Sequence, residues 1–231
     1  VAAWLAGLGC ETHLVTRLGR DGAGAGVIGE LQTLGIGVSG TSRSGTAPTA
    51  NYTAALDPVG ELHIGLADMA IYDELTPERI DAALTELGNA DAWFVDTNLP
   101  EASIAYLSSA RPRATLFAAD TVSRAKASRL RPALARLDIL VTNVAEAASL
   151  IPSSTPEDAG AALRVLGIDH VLIGRGANEV LYCNEHGVSL HPSESARVVD
   201  VTGAGDALVA GMVFGILANR ASDEALRIAL T

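Results

Sequence analysis

Several things are scarce in this 231-residue chain, and each scarcity removes a class of protein. There are two cysteines, Cys10 and Cys183, far apart and outside any C-x-x-C pair. That excludes a disulfide scaffold, and they read as two buried free thiols in a reducing cytoplasm. The histidines (His13, His63, His170, His186 and His191) are scattered without ligand spacing, which argues against a histidine-held catalytic metal. Basic residues are also few: 16 Lys and Arg against 27 Asp and Glu leave a formal charge of −11, with no basic block. A phosphate-neutralising surface is missing, so nucleic acid is not an expected partner. No stretch is apolar for long enough to cross a bilayer and no secretory leader is evident, so no membrane partner is expected. Aromatic residues make up 4%, so the core must be built from Ala, Leu and Val. An apolar fraction of 48% and a mean hydropathy of +0.28 are enough for one large packed domain.

Two nucleotide signatures are missing as well. There is no G-x-x-x-x-G-K-[ST], which excludes a P-loop, and the protein-kinase signatures are absent. Gly24-Ala-Gly-Val-Ile-Gly29 satisfies G-x-G-x-x-G. No carboxylate follows at the required distance, because 44–50 contains none, so these glycines read as helix packing.

The remaining sequence alternates helical and strand patterns. Helices are expected over 1–9, 22–34, from Thr76-Pro77-Glu78, over 100–110, from Asn143 and over 156–166. Strands are expected over 12–16, 91–96, 114–120, 138–142 and 170–173, with a hairpin around Asn184-Glu-His-Gly187. Between Gly35 and Leu66 the character changes to short β segments, with a hairpin turn at Asp57-Pro-Val-Gly60. Alternation of this kind predicts a three-layer α/β/α sandwich with a mainly parallel sheet, plus a small β lid from 35–66. Ligands gather at the carboxyl ends of parallel strands, where Asp96, Asn98, Asp120 and Asn143 fall. The two ends, Val1–Gly9 and Ser222–Thr231, read as helices cut in mid-course, so a partial domain is expected.

The most informative stretch is Asp200-Val-Thr-Gly-Ala-Gly-Asp206, running straight into an apolar helical run. Gly203, Ala204 and Gly205 let a ligand approach backbone N–H groups at the positive end of a helix dipole, which suits an anion. Asp206 is out of place in a simple anion cradle. It makes sense as a base that takes a proton from an attacking hydroxyl. Asn143-Val-Ala-Glu146 sets an amide and a carboxylate three apart on a helix's first turn. The pair either caps and charges the helix end or orders water around Mg²⁺. Gly174-Arg175-Gly176 ends a strand in a glycine-rich turn that carries nucleotide phosphates or is a plain β-turn. Asp120 and Lys126 place a carboxylate and a cation at another strand end.

These motifs resemble the ribokinase-like PfkB carbohydrate kinase family, whose C-terminal signature matches Asp200–Asp206 and on through Ala210-Gly211-Met-Val213. The resemblance covers essentially the whole chain, with pieces expected to be missing before Val1 and after Thr231. It implies that Asp206 is the catalytic base, with Gly203, Ala204 and Gly205 forming the anion hole. It further implies that Asn143 and Glu146 serve Mg²⁺ through water, and that Thr202, Gly174, Arg175 and Gly176 lie on ATP. Asn98, Asp120 and Lys126 are implied to contact a nucleoside or sugar acceptor. Within the family, Thr49–Glu61, Ala67–Pro77, Asp96-Thr-Asn-Leu-Pro100 and Asp120–Lys126 resemble pseudouridine kinases. Ribokinase-, adenosine kinase- and fructokinase-like acceptors stay open, as does a non-catalytic nucleoside-binding regulator on the same scaffold. In this family lid edges often pair between subunits, which implies a homodimer through the lid.

Overall fold

The computed structural model describes residues 1–56, 62–176, 179–192 and 203–231; for Leu56, Leu62 and His63 only the backbone is described. The expected turn at 57–60, Asn178 and the Asp200–Thr202 half of the signature loop lie outside these residues. A six-stranded sheet forms the centre. In chain order its strands are β5 (Ala92–Asp96), β6 (Leu116–Asp120), β7 (Ile139–Asn143), β8 (His170–Gly174), β9 (Glu179–Asn184) and β10 (Gly187–Pro192). The spatial order is the reverse, β10 to β5. The strands β5 to β8 run parallel, and β9 and β10 turn back antiparallel.

Strand side chains alternate between two cores, as the two-residue strand period requires. Phe117, Ala119, Leu140, Val171, Ile173 and Leu181 face one way, under α3 (Pro77–Leu87), α4 (Glu101–Ala110), α5 (Val144–Leu150) and α6 (Pro156–Val165). Ala118, Ile139, Val141, Leu172 and Tyr182 face the other, against α7 (Ala204–Leu217) and α8 (Ser222–Leu230). The result is the expected three-layer sandwich. Each fully buried aliphatic side chain contributes roughly 1.5–3 kcal/mol, enough collectively to fix the strand ends as a rigid platform. α7 lacks a polar face because it is covered on both sides. A Cβ on Gly211 would lie 2.5 Å from the Ala229 Cα, and one on Gly215 would lie 2.6 Å from the Ala225 Cα, so α8 presses directly on its backbone.

The 35–66 region divides. The strand expected over 12–16 is β1 (Thr16–Leu18), and it pairs in parallel with β2 (Thr41–Arg43); Thr12–Val15 supplies only a bridge from His13 to Gly37. β3 (Asn51–Leu56) and β4 (Leu62–Asp68) form a separate antiparallel hairpin. Its described side chains are exposed on both faces, Tyr52, Ile64 and Leu66 among them. Asp21 holds the base of this hairpin. It caps α2 (Gly22–Thr33) through the Gly24 N–H at 2.8 Å and also accepts the Thr49 hydroxyl at 2.6 Å and the Thr49 N–H at 2.8 Å. Those bonds, the Thr49 hydroxyl first, lower its carboxyl to about 2. Gly24 is a packing glycine, as its sequence context implied: a Cβ there would meet Arg43 Nη1 at 2.3 Å. Of the cysteines, Cys183 is buried and its thiol is pushed up to about 11 by burial, whereas Cys10 is only half-buried. No helix among the described residues is long and apolar enough to cross a membrane.

Candidate active site

The sheet register brings the chemistry to one edge. Asp96 pairs with Asp120 at the ends of β5 and β6, and Asn143 pairs with Gly174 at the ends of β7 and β8. α7 starts above the same edge. Gly203 sits at its N-cap with φ +85°, a left-handed conformation that favours glycine, and it has no side chain to close the helix end. Among the described residues no side chain caps the first N–H groups of α7. Asp206 stands in that first turn, more than half exposed, and its Oδ2 lies 3.5 Å from the Val1 nitrogen at the start of α1 (Ala2–Gly7).

Asp120 stands at the end of β6, facing α7. A Cβ added to Gly205 would lie 3.5 Å from its Oδ2, so this carboxylate reaches the first turn of α7. Its pKa is raised to about 6, by burial first and then by Glu146, Asp206 and Asp96, against an opposing hydrogen bond from the Val122 N–H at 2.6 Å. Val122 has φ +56°, unusual for a β-branched residue, so the turn after β6 carries backbone strain. Asp96 binds the Asn98 N–H at 2.8 Å and the Asn98 amide at 3.1 Å, and Lys126 Nζ donates to Asn98 Oδ1 at 2.6 Å. The sequence motifs at 96–98 and 120–126 are thus one cluster. Burial, then Arg129, lowers the Lys126 pKa, while Asp96 and Asp73 oppose the shift.

Asn143 and Glu146 form a reciprocal capping box on α5. Glu146 N–H donates to Asn143 Oδ1 at 3.0 Å, and Asn143 N–H donates to Glu146 Oε2 at 3.3 Å. Of the two roles open for this pair in the sequence, the capping one is visible in these bonds. The Gly174-Arg175-Gly176 turn lies beside Asn143, but Arg175 is in an ion pair with Glu157 at 3.1 Å rather than among the acids. Thr202 is outside the described residues.

Sequence reasoning missed a set of buried groups behind the edge. Thr97, Thr121 and Thr142 are buried. Thr97 donates to the Thr121 carbonyl, and Thr121 donates to Glu146. Arg129 reaches the carbonyls of Thr97, Asn98 and Leu99 at 3.2, 3.2 and 3.3 Å and so fixes the loop after β5. A cleft of about 480 Å³ opens at the opposite end of the strands, lined by Arg111, Asp138, His170 and neighbours. Its distance from every strand-end acid separates it from this chemistry.

Comparison with known proteins agrees with this architecture. The model of the pfkB family carbohydrate kinases matches residues 1–231. The chain is 26% identical to an uncharacterized sugar kinase of Escherichia coli (strain K12), over 100% of this chain and 65% of that protein. It is 28% identical to the pseudouridine kinase of the same organism, over 92% of this chain and 69% of that one. A solved carbohydrate kinase from Agrobacterium tumefaciens superposes with a TM-score of 0.84 at 34% identity, covering 99% of this chain and 75% of that one. The chain therefore spans about two thirds of the length of these curated relatives.

Proposed function

The chain belongs to the pfkB family of carbohydrate kinases, and from that membership we propose that it is an ATP-dependent kinase phosphorylating the 5′-hydroxyl of pseudouridine. The observation that carries the reaction is the start of α7, where the N-cap Gly203 offers no side chain and an exposed Asp206 stands in the first turn. In the proposed step Asp206 takes the proton from the acceptor hydroxyl. The acceptor oxygen bonds to the γ-phosphorus as the bond to the β–γ bridging oxygen breaks, and ADP leaves. N–H groups of Gly203, Ala204 and Gly205 offset the charge spreading over the phosphoryl oxygens. Gly174, Gly176, Thr202 and Arg175 are assigned to the nucleotide, for which Arg175 must exchange its partner Glu157.

The oxygen-rich donors of this edge suit Mg²⁺. Mg²⁺ keeps several waters and needs few protein ligands. Glu146 and Asn143 would hold it through water. When bound, it neutralises charge on the phosphate oxygens.

The acceptor is assigned to Asn98, Asp120 and Lys126. Asp96, Asp120, Glu146 and Asp206 outweigh Lys126 here, while Arg129 is committed to carbonyls and Arg175 to Glu157. Such an edge favours a neutral polyhydroxyl acceptor over a sugar phosphate. The reaction draws on cytoplasmic ATP, and that is where we place the protein. An ATP-consumption panel with pseudouridine, uridine, adenosine, ribose and fructose phosphates tests the assignment. Pseudouridine should turn over best. Transfer without that preference removes the acceptor and leaves another sugar or nucleoside kinase of the family, and no transfer to any acceptor removes the kinase.

The β3–β4 hairpin is assigned as the lid. A two-stranded hairpin is marginal alone, and this one exposes apolar groups on both faces. We assign its outer face to the lid of a second copy, so sedimentation should give a dimer mass. A monomer mass at micromolar concentration would rule the pairing out.

A further inference from the structure

Behind the acids of the sheet edge lies one buried hydroxyl that touches Glu146 and Thr142. Thr121 follows the last residue of β6 and is fully buried. Its hydroxyl donates to Glu146 Oε2 and lies 2.9 Å from the Thr142 hydroxyl. A hydroxyl has one proton, and the acceptor-only carboxylate takes it, while the Thr142 hydroxyl beside it also faces the Asn143 carbonyl at 3.4 Å. Its carbonyl accepts from the Thr97 hydroxyl and from the Ser123 N–H. Its neighbours in sequence are Asp120, whose carboxylate reaches Gly205, and Val122, whose N–H donates back to that carboxylate.

The alternative explanation is that Thr121 merely satisfies buried polar groups. The partners of Glu146 argue for more. The other hydrogen bond to Oε2, from the Asn143 N–H, is long at 3.3 Å. The capping box alone therefore holds this oxygen weakly, and the charge-assisted bond from Thr121 is its second tie. We propose that Thr121 is a positioning residue of the phosphoryl-transfer site. Its hydroxyl orients Glu146, and its backbone fixes the turn that carries Asp120 toward the start of α7. The assignment rests on the kinase reading only for its effect on turnover, because the hydrogen bonds exist without it.

The test compares Thr121→Ser with Thr121→Ala. Both remove the same methyl group, and they differ only in the hydroxyl. Thermal unfolding with Mg²⁺ titrated in the presence of a non-hydrolysable ATP analogue reads the site without turnover, and steady-state kinetics are run beside it. The Ala variant should need about 10–100-fold more Mg²⁺ for half-maximal stabilisation and lose kcat by a similar factor. Its acceptor KM should not change, and the Ser variant should behave like the unsubstituted chain. Equal Mg²⁺ responses of Ser and Ala overturn the proposal. If the Ala variant does not fold, Thr121→Val, which refills the space, takes its place against Ser under the same criterion. An unsubstituted chain that transfers phosphate to no acceptor, yet shows the Ser–Ala difference in Mg²⁺ response, sinks the kinase reading and keeps Thr121. Absence of any Mg²⁺–nucleotide response in the unsubstituted chain overturns both.

Discussion

Two helices begin at this sheet edge, and both carry an acid three residues after the N-cap. In α5 the cap is Asn143 and the acid is Glu146; in α7 the cap is Gly203 and the acid is Asp206. Their states are opposite. Glu146 is 8% exposed, bound to the Asn143 N–H and to Thr121, and the helix end is closed. Asp206 is about half exposed, its cap has no side chain, and among the described residues no side chain caps its first turn. A closed end gains about 1 kcal/mol of helix stability from its cap. An open end forgoes that gain and keeps donors and a carboxylate available to a ligand. The same acid spacing thus builds a scaffold in one helix and a reactive site in the other.

The largest expected effect comes from breaking the open end. Asp206→Asn in a chain active in the panel should reduce kcat by about 10²–10⁴-fold, the range of a positioned general base. Nucleotide binding, followed by calorimetry, should survive, because the N–H groups of α7 are untouched. Turnover within a few-fold of the unsubstituted chain would remove Asp206 from the role of base and with it the functional half of the contrast.

Much of this edge is legible from sequence, for reasons that differ between residues. The signature loop announces itself because glycines and an acid at a helix start are local features. The strand-end acids are legible because a run such as Ala118-Ala119-Asp120 marks where burial stops. The Asn143–Glu146 spacing predicts one face of a first turn, but cannot say whether the carboxylate is free or already bonded. That depends on Thr121, from a strand end 25 residues earlier. Thr97, Thr121 and Thr142 read as ordinary β-formers, and their hydroxyl partners appear only when strands are set side by side. Arg129 sits in the 3₁₀ segment Ala127–Arg136, where Pro132 and alternating arginines break the helical period. Arg175, in the turn after β8, has its ion-pair partner 18 residues away on α6. Strand β1 is misplaced by a few residues because three residues are too short for a period to register.

A smaller effect sharpens the comparison from between the two helices, at Asp120, whose charge is felt by both Glu146 and Asp206. The native pKa of about 6 exceeds that of the unfolded chain, 3.8. Below about pH 4 both states are neutral there and the favourable native protonation is fully counted. As pH rises from 4 through 6, the unfolded chain ionises first and the native state loses that stability. Asp120→Asn keeps the neutral form at every pH. Its stability should match the unsubstituted chain near pH 3.5 and exceed it above pH 7 by roughly 1–3 kcal/mol, the scale of a two-unit shift in a partly buried group. Urea unfolding at four pH values between 3.5 and 8 reads this difference. A difference that is flat, or that shrinks as pH rises, would mean the acids do not repel one another across the edge. In that case the open end of α7 and the closed end of α5 are electrostatically independent. A difference that grows as described but closes when Mg²⁺ and nucleotide are added would tie the repulsion to the ligand the edge is built to receive, since a bound cation relieves the cost that Asn removes.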